Sequence, residues 1–89
     1  MSNGSLKIKY DRASDVLYIN TRPGVPAVVR HGDPGLLWRH DANTGELIGL
    51  TVIDFDLYWR PRLRELAAQL SLRLKVPKDA TEHALREVA

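Results

Sequence analysis

The chain reads as an α+β domain, with an antiparallel β-meander of about five strands followed by one main helix and a short C-terminal helix. Three observations lead there. Apolar residues alternate at a period of two in short runs between Leu6 and Asp54, Gly, Pro and Asx residues punctuate those runs, and after Phe55 the spacing changes to three and four. The length of 89 residues suits one hydrophobic core and no second domain. Residues 1–89 are therefore a single domain, with 5–54 as the β-meander and 55–89 as a helical extension.

Leu6 to Tyr10 sets Lys7 and Lys9 against Leu6, Ile8 and Tyr10, the alternation of a strand with one wet face. Asp11 to Ser14 supplies turn residues. Asp15 to Thr21 follows, and its Val16, Leu17, Tyr18 and Ile19 are apolar or aromatic on both faces, which predicts a strand buried on both sides. Arg22-Pro23-Gly24 is a loop. Val25 to Arg30 is a third strand, placed at a sheet edge because Pro26 cannot donate to a ladder. Gly32-Asp33-Pro34-Gly35 breaks the chain again before strand four, Leu36 to His40. The loop Asp41-Ala42-Asn43-Thr44-Gly45 then closes a hairpin onto strand five, Glu46 to Asp54. Strand five puts Ile48, Leu50 and Val52 on one face and Leu47, Thr51 and Ile53 on the other, with Gly49 bare.

Leu63, Leu66, Ala67, Leu70 and Leu74 mark a helix from about Pro61 to Leu74, with proline at the first position, where its missing N–H costs nothing. Ala68 and Leu72 fall on its far side and need other cover. Val76-Pro77 ends it, and Asp79 with Glu82 fits a capping box for a last helix ending near Val88, its apolar members being Ala80, Ala84, Leu85 and Val88. So short a helix must dock on the body or on a second copy. The expected core is Ile8, Leu17, Ile19, Leu50, Val52, Leu63, Leu66 and Leu70.

Cysteine is absent, which removes disulfides, thiol nucleophiles and thiolate metal sites together. No apolar run is long enough to span a membrane and Met1 to Tyr10 lacks the apolar stretch of a leader, so the expected compartment is the cytoplasm, with no membrane partner. The sequon Asn3-Gly4-Ser5 carries no weight without a secretory route. The net charge of +2 is unevenly placed: Arg60 to Lys78 holds Arg60, Arg62, Arg64, Arg73, Lys75 and Lys78 against Glu65 alone. Such asymmetry marks either a solvated helix face or a surface for an acidic partner.

Lys7-Ile8-Lys9-Tyr10-Asp11, followed by Asp15-Val16-Leu17-Tyr18-Ile19, resembles the opening of the small prokaryotic proteins grouped as domain-of-unknown-function family 2283. The resemblance continues through Gly45-Glu46-Leu47-Ile48-Gly49-Leu50-Thr51-Val52, where the family carries an acidic-glycine turn and an apolar strand, and so covers about Leu6 to Ile53. Between these blocks the family runs to an acidic strand, whereas this chain has Gly35-Leu36-Leu37-Trp38-Arg39-His40-Asp41. The resemblance implies a β-rich unit and transfers no activity.

Asp54 and Asp56 stand two apart at a strand end, as a general-base or hard-cation pair would, but two carboxylates are too few for a metal cage. The simpler expectation is that they cap the helix that follows. Asp41-x-Asn43-x-Gly45 begins like a calcium loop, yet its twelfth position is Val52 and not glutamate, which leaves a hairpin turn. His31, His40 and His83 have no ligand at helical spacing. Ser5, Ser14 and Ser71 stand in no nucleophile motif, and no glycine-rich phosphate loop is present. No catalytic residue, metal ligand or cofactor is assigned.

Tyr58 and Trp59 sit at the junction of sheet and helix beside Arg60, Arg62 and Arg64. They read either as wedges sealing that corner or as a stacking surface beside phosphate-binding guanidinium groups. The interaction surface expected is Tyr58, Trp59, Arg60, Arg62, Arg64, Leu72, Arg73 and Leu85. These features favour a non-catalytic interaction or regulatory module acting as a homodimer, with a protein partner as a further option. The first alternative is a weak nucleic-acid binder using the basic helix. The second is a small hydrolase with a carboxylate site built on Asp54, Asp56 and a histidine.

Overall fold

The computed structural model describes residues 6–22 and 24–88. Pro23, Ser5, the Asn3-Gly4-Ser5 sequon and the start of the stretch weighed as a leader lie outside them. The β-rich part contains β1 (Lys7–Asp11), β2 (Val16–Asn20), β3 (Ala27–His31), β4 (Leu36–Asp41) and β5 (Leu47–Ile53). All pair antiparallel in a single five-stranded sheet of order β1-β2-β5-β4-β3. A hairpin of β1 and β2 thus lies beside the run β3 to β5, joined through β2 against β5.

Composition explains that order. β2 and β5 are the most apolar strands and take the interior, while β1 with Lys7 and Lys9, and β3 just after Pro26, take the two edges. Register aligns Leu17 with Val52, Ile19 with Leu50, Leu36 with Val52 and Trp38 with Leu50, so these side chains share one face. A bulge between Arg39 and His40 leaves Ile48 without a partner on β4, and its carbonyl accepts from Thr21 N–H at 2.9 Å.

The chain starts to coil earlier than Pro61. Phe55–Trp59 is a π-helical turn, Arg60–Arg62 a 3₁₀ turn containing Pro61, and only then do α1 (Leu63–Leu74) and α2 (Lys78–Glu87) follow. The cause is tertiary: Phe55 and Trp59 are both buried, and coiling here inserts both into the core. The capping box expected for α2 does not form. Pro77 occupies the cap position and Asp79 lies inside the first turn without a capping bond, while Thr81 closes on the Pro77 carbonyl through its N–H at 3.0 Å and its hydroxyl at 2.6 Å.

One core joins sheet and helices: Leu17, Ile19, Leu36, Trp38, Leu50 and Val52 meet Phe55, Trp59, Leu63, Leu66, Ala67, Leu70, Val76 and Leu85. Of the core residues expected, all are buried except Ile8, which is half-buried at the rim. Leu85 anchors α2 on its own chain. Both helices cover the same sheet face, so the prediction of a doubly buried β2 does not hold in the single chain: Tyr18 is exposed and Val16 half-buried.

The corner between sheet and helix as candidate functional site

Where β5 ends, the backbone turns through Asp54 in the left-handed region, φ 58°. Asp15, at the start of β2, is also left-handed, φ 59°. Asp is one of the few non-glycine residues that tolerates this conformation, because its short side chain can bond locally. The capping role expected of Asp54 and Asp56 falls instead to Asp15. Its carboxylate accepts from Asp56 N–H at 2.7 Å, Leu57 N–H at 3.2 Å and the Tyr10 hydroxyl at 2.7 Å, and its carbonyl accepts from Phe55 N–H at 3.1 Å. Asp54 makes no capping bond, and Asp56 pairs with Arg60 one turn on. The reason is positional: the β1–β2 hairpin carries Asp15 under the first N–H groups of the turn, while Asp54 is inside the bend that produces them.

Partial desolvation pushes the Asp15 carboxyl upward, but hydrogen bonds from Tyr10, Asp56 and Leu57 together with nearby Arg60 outweigh it and hold the group below its ordinary pKa. The same bond, with burial and the carboxylate charge, raises the Tyr10 hydroxyl. Tyr10 also packs edge-on against Phe55, ring centres 5.6 Å apart. Asp15, Tyr10 and Phe55 therefore lock hairpin to helix.

On the outer side of this lock lies a pocket of about 390 Å³ lined by Pro34, Gly35, Ile53, Asp54, Leu57, Tyr58 and Trp59. Leu57 is 77% exposed and Tyr58 46%, while Trp59, only 5% exposed, turns inward. The Trp59 indole N–H is buried with no hydrogen-bond partner among the described residues. Gly35, φ +85°, passes over it: a Cβ there would stand 3.5 Å from the indole nitrogen and 3.1 Å from the Ile53 carbonyl. A leucine, a tyrosine and an isoleucine facing solvent form a site suited to an apolar group, with the unpaired indole N–H buried beneath it.

The wedge reading of the two aromatics therefore holds for Trp59 alone. Trp59 and Leu85, which the sequence places on the interaction surface, lie instead in the core. Tyr58, Arg62 and Leu72 do face outward or lie at the surface, Leu72 being 79% exposed. Arg60, Arg62 and Arg73 are engaged within the chain, while Arg64 is largely exposed. Arg60 lies 5.1 Å from the Phe55 ring centre, Arg62 is 4.0 Å from that of Tyr58 and donates to the Tyr58 carbonyl at 2.7 Å, and Arg73 is 4.7 Å from that of Trp38. Arg64 reaches Glu82 at 3.8 Å.

The uncovered sheet face forms a second, shallower depression of about 910 Å³ lined by Lys7, Ile8, Lys9, Asp11, Tyr18, Asn20, Arg39 and Thr51. Beside it Arg39 hydrogen-bonds Asn20 across the buried Gly49; a Cβ on Gly49 would meet Asn20 Oδ1 at 2.6 Å and the Ile19 carbonyl at 2.7 Å. The remaining candidates are dispersed. Asp41 organises its hairpin by accepting from Asn43 N–H at 2.7 Å and Thr44 N–H at 3.2 Å; the first of these bonds is the main cause holding its carboxyl below the ordinary range. The His40 ring contacts the Gly45 carbonyl at 3.1 Å, His83 lies 3.7 Å from Glu87, and His31 is on β3. Ser14 lies in the β1–β2 turn and Ser71 in α1. Among the described residues no group of three His, Asp or Glu side chains is placed to hold a metal ion, and no helix is long and apolar enough to cross a membrane.

Fold and corner together define a small α+β protein whose sheet and helices share a core and leave an apolar corner and one sheet face open. A family model described as "Protein of unknown function (DUF2283)" matches residues 7–55, and the chain belongs to that family. The match takes in the whole sheet and Asp15 and ends at Phe55, so Leu57, Tyr58, Trp59 and both α-helices lie beyond it. No curated protein and no solved structure matches the chain.

Proposed function

We propose that this protein is a non-catalytic interaction module that works as a homodimer and uses the corner between sheet and helix as its contact surface. The observation that carries this reading is the grouping of Ile53, Leu57 and Tyr58, all exposed, around the pocket above the unpaired indole of Trp59. Large apolar side chains clustered on a surface mark contact sites, whereas scattered ones do not. A domain this small also gains most from enlarging its core by symmetric pairing. Light scattering across micromolar concentrations tests the reading: twice the chain mass supports it, and a monomer throughout that range refutes it.

A second reading rests on the open sheet face. Lys7 and Lys9 flank the exposed Tyr18 there, an arrangement suited to phosphates and a stacked base, whereas the arginines at 60, 62 and 73 are engaged within the chain. If the protein binds nucleic acid, the logarithm of its affinity for a short single-stranded oligonucleotide falls linearly with log salt, and the affinity drops on Lys9→Glu. Unchanged binding in Lys9→Glu rules out this face.

A further inference from the structure

We propose that Leu72 of one copy seats in the corner pocket of the other, so that a two-fold axis generates two identical knob-in-pocket contacts. The inference rests on the homodimer reading above and specifies its interface. Leu72 and Leu57 are the two most exposed large apolar side chains among the described residues, 79% and 77%, and one projects from α1 while the other rims the pocket. Leu72 stands on the side of α1 opposite Leu70, so neither the sheet nor α2 covers it.

The surroundings of knob and pocket are complementary. Leu72 lies in the last turn of α1, where carbonyl groups lack intrahelical donors; the N–H of Lys75, left-handed at φ 58°, takes up only the Ser71 carbonyl, at 3.0 Å. The pocket offers the leucine an apolar lining in Ile53, Leu57 and Tyr58. Lys75 follows Leu72 and Asp54 rims the pocket, and neither is in an ion pair among the described residues, so docking brings opposite charges together. A leucine followed by a lysine suits this rim better than a group bearing a carboxylate or phosphate, which Asp54 would repel. Since each chain carries both halves, one two-fold operation satisfies both, as a self-complementary patch requires.

Three measurements on the full chain decide it. Leu72→Glu is expected to weaken self-association at least about tenfold, with an unchanged far-ultraviolet circular dichroism spectrum, and Leu57→Lys to do the same. Mixing the two variants restores one contact, because the intact Leu72 of one meets the intact pocket of the other, and sets the two introduced charges, of opposite sign, against each other at the second, so a heterodimer should form where neither variant pairs alone. In ¹⁵N-labelled protein, the Trp59 indole resonance, assigned with Trp38→Phe, should shift with concentration while that of Trp38 stays fixed. A dimer that survives Leu72→Glu, or a mixture that stays monomeric, overturns the proposed interface and leaves the homodimer intact. A wild-type chain that is monomeric throughout defeats the homodimer itself.

Discussion

Replacing Asp15 tests whether one carboxylate joins the β1–β2 hairpin to the helical part. In Asp15→Ala the N–H groups of Asp56 and Leu57 and the Tyr10 hydroxyl lose their acceptor at once. Loss of a capping side chain costs about 0.5 to 2 kcal/mol. Alanine must also adopt the left-handed backbone, φ 59°, which costs a non-glycine residue without a local side-chain bond about 1 to 2 kcal/mol. The two add to a loss of about 1.5 to 4 kcal/mol, a large share of the ~5 to 15 kcal/mol that holds a typical domain. Asp15→Asn keeps the backbone tolerance and one acceptor oxygen, so its cost stays near 1 kcal/mol. Urea unfolding followed by tryptophan fluorescence reads both, at fixed chain concentration because association shifts the midpoint. A double-mutant cycle with Tyr10→Phe should show coupling of at least ~0.5 kcal/mol. If the alanine variant proves as stable as the asparagine variant, Asp15 holds neither the turn nor its own backbone, and the account of the corner fails.

Other outcomes follow from the same geometry. Leu66→Ala, which empties a fully buried position on α1, should cost about 2 to 5 kcal/mol, read from a thermal or urea midpoint. Gly49→Ala drives a methyl group against the Ile19 carbonyl at 2.7 Å and displaces Arg39 from Asn20. It should cost about 1 to 3 kcal/mol, and a neutral result would mean the sheet opens there freely. Asp15, Asp41 and Glu82 all sit below their ordinary pKa in the folded chain, so the unfolded chain binds more protons in acid. Their contribution is complete above the unfolded values of about 4 and is lost as pH falls through the folded ones. Stability should thus be level from neutral pH to about 5.5 and decline below 4.5, with a shallower decline in Asp15→Asn. Truncation after Leu74 removes Leu85 from the core and should lower the thermal midpoint of the remaining chain, not merely its association.

Much of the fold was legible because its signals are local. Alternation in β1 and β5, Pro26 at the β3 edge, the Asx hairpin at Asp41 and the leucine stripe of α1 are each read within a window of a few residues. The corner was legible only as a cluster of aromatic and basic residues. Which aromatic turns inward depends on a π-helical turn that no periodicity announces, and Asp15, forty-one residues from the N–H of Asp56 that it caps, carries no motif. Capping signals at Asp54, Asp56 and Asp79 misled for a related reason. They identify residues able to cap, but whether a given carboxylate reaches free N–H groups depends on where the chain bends.

What the sequence alone determined is the class of elements, their order, the phase of the core and membership of one core, since period and punctuation depend on neighbours along the chain. Tertiary structure decided the rest: β2 beside β5, both helices on one face, Leu85 inside and Leu72 outside, Gly35 over the Trp59 indole. Each of these results from competition among distant apolar surfaces for a single interior, which leaves Leu57, Tyr58 and Leu72 exposed.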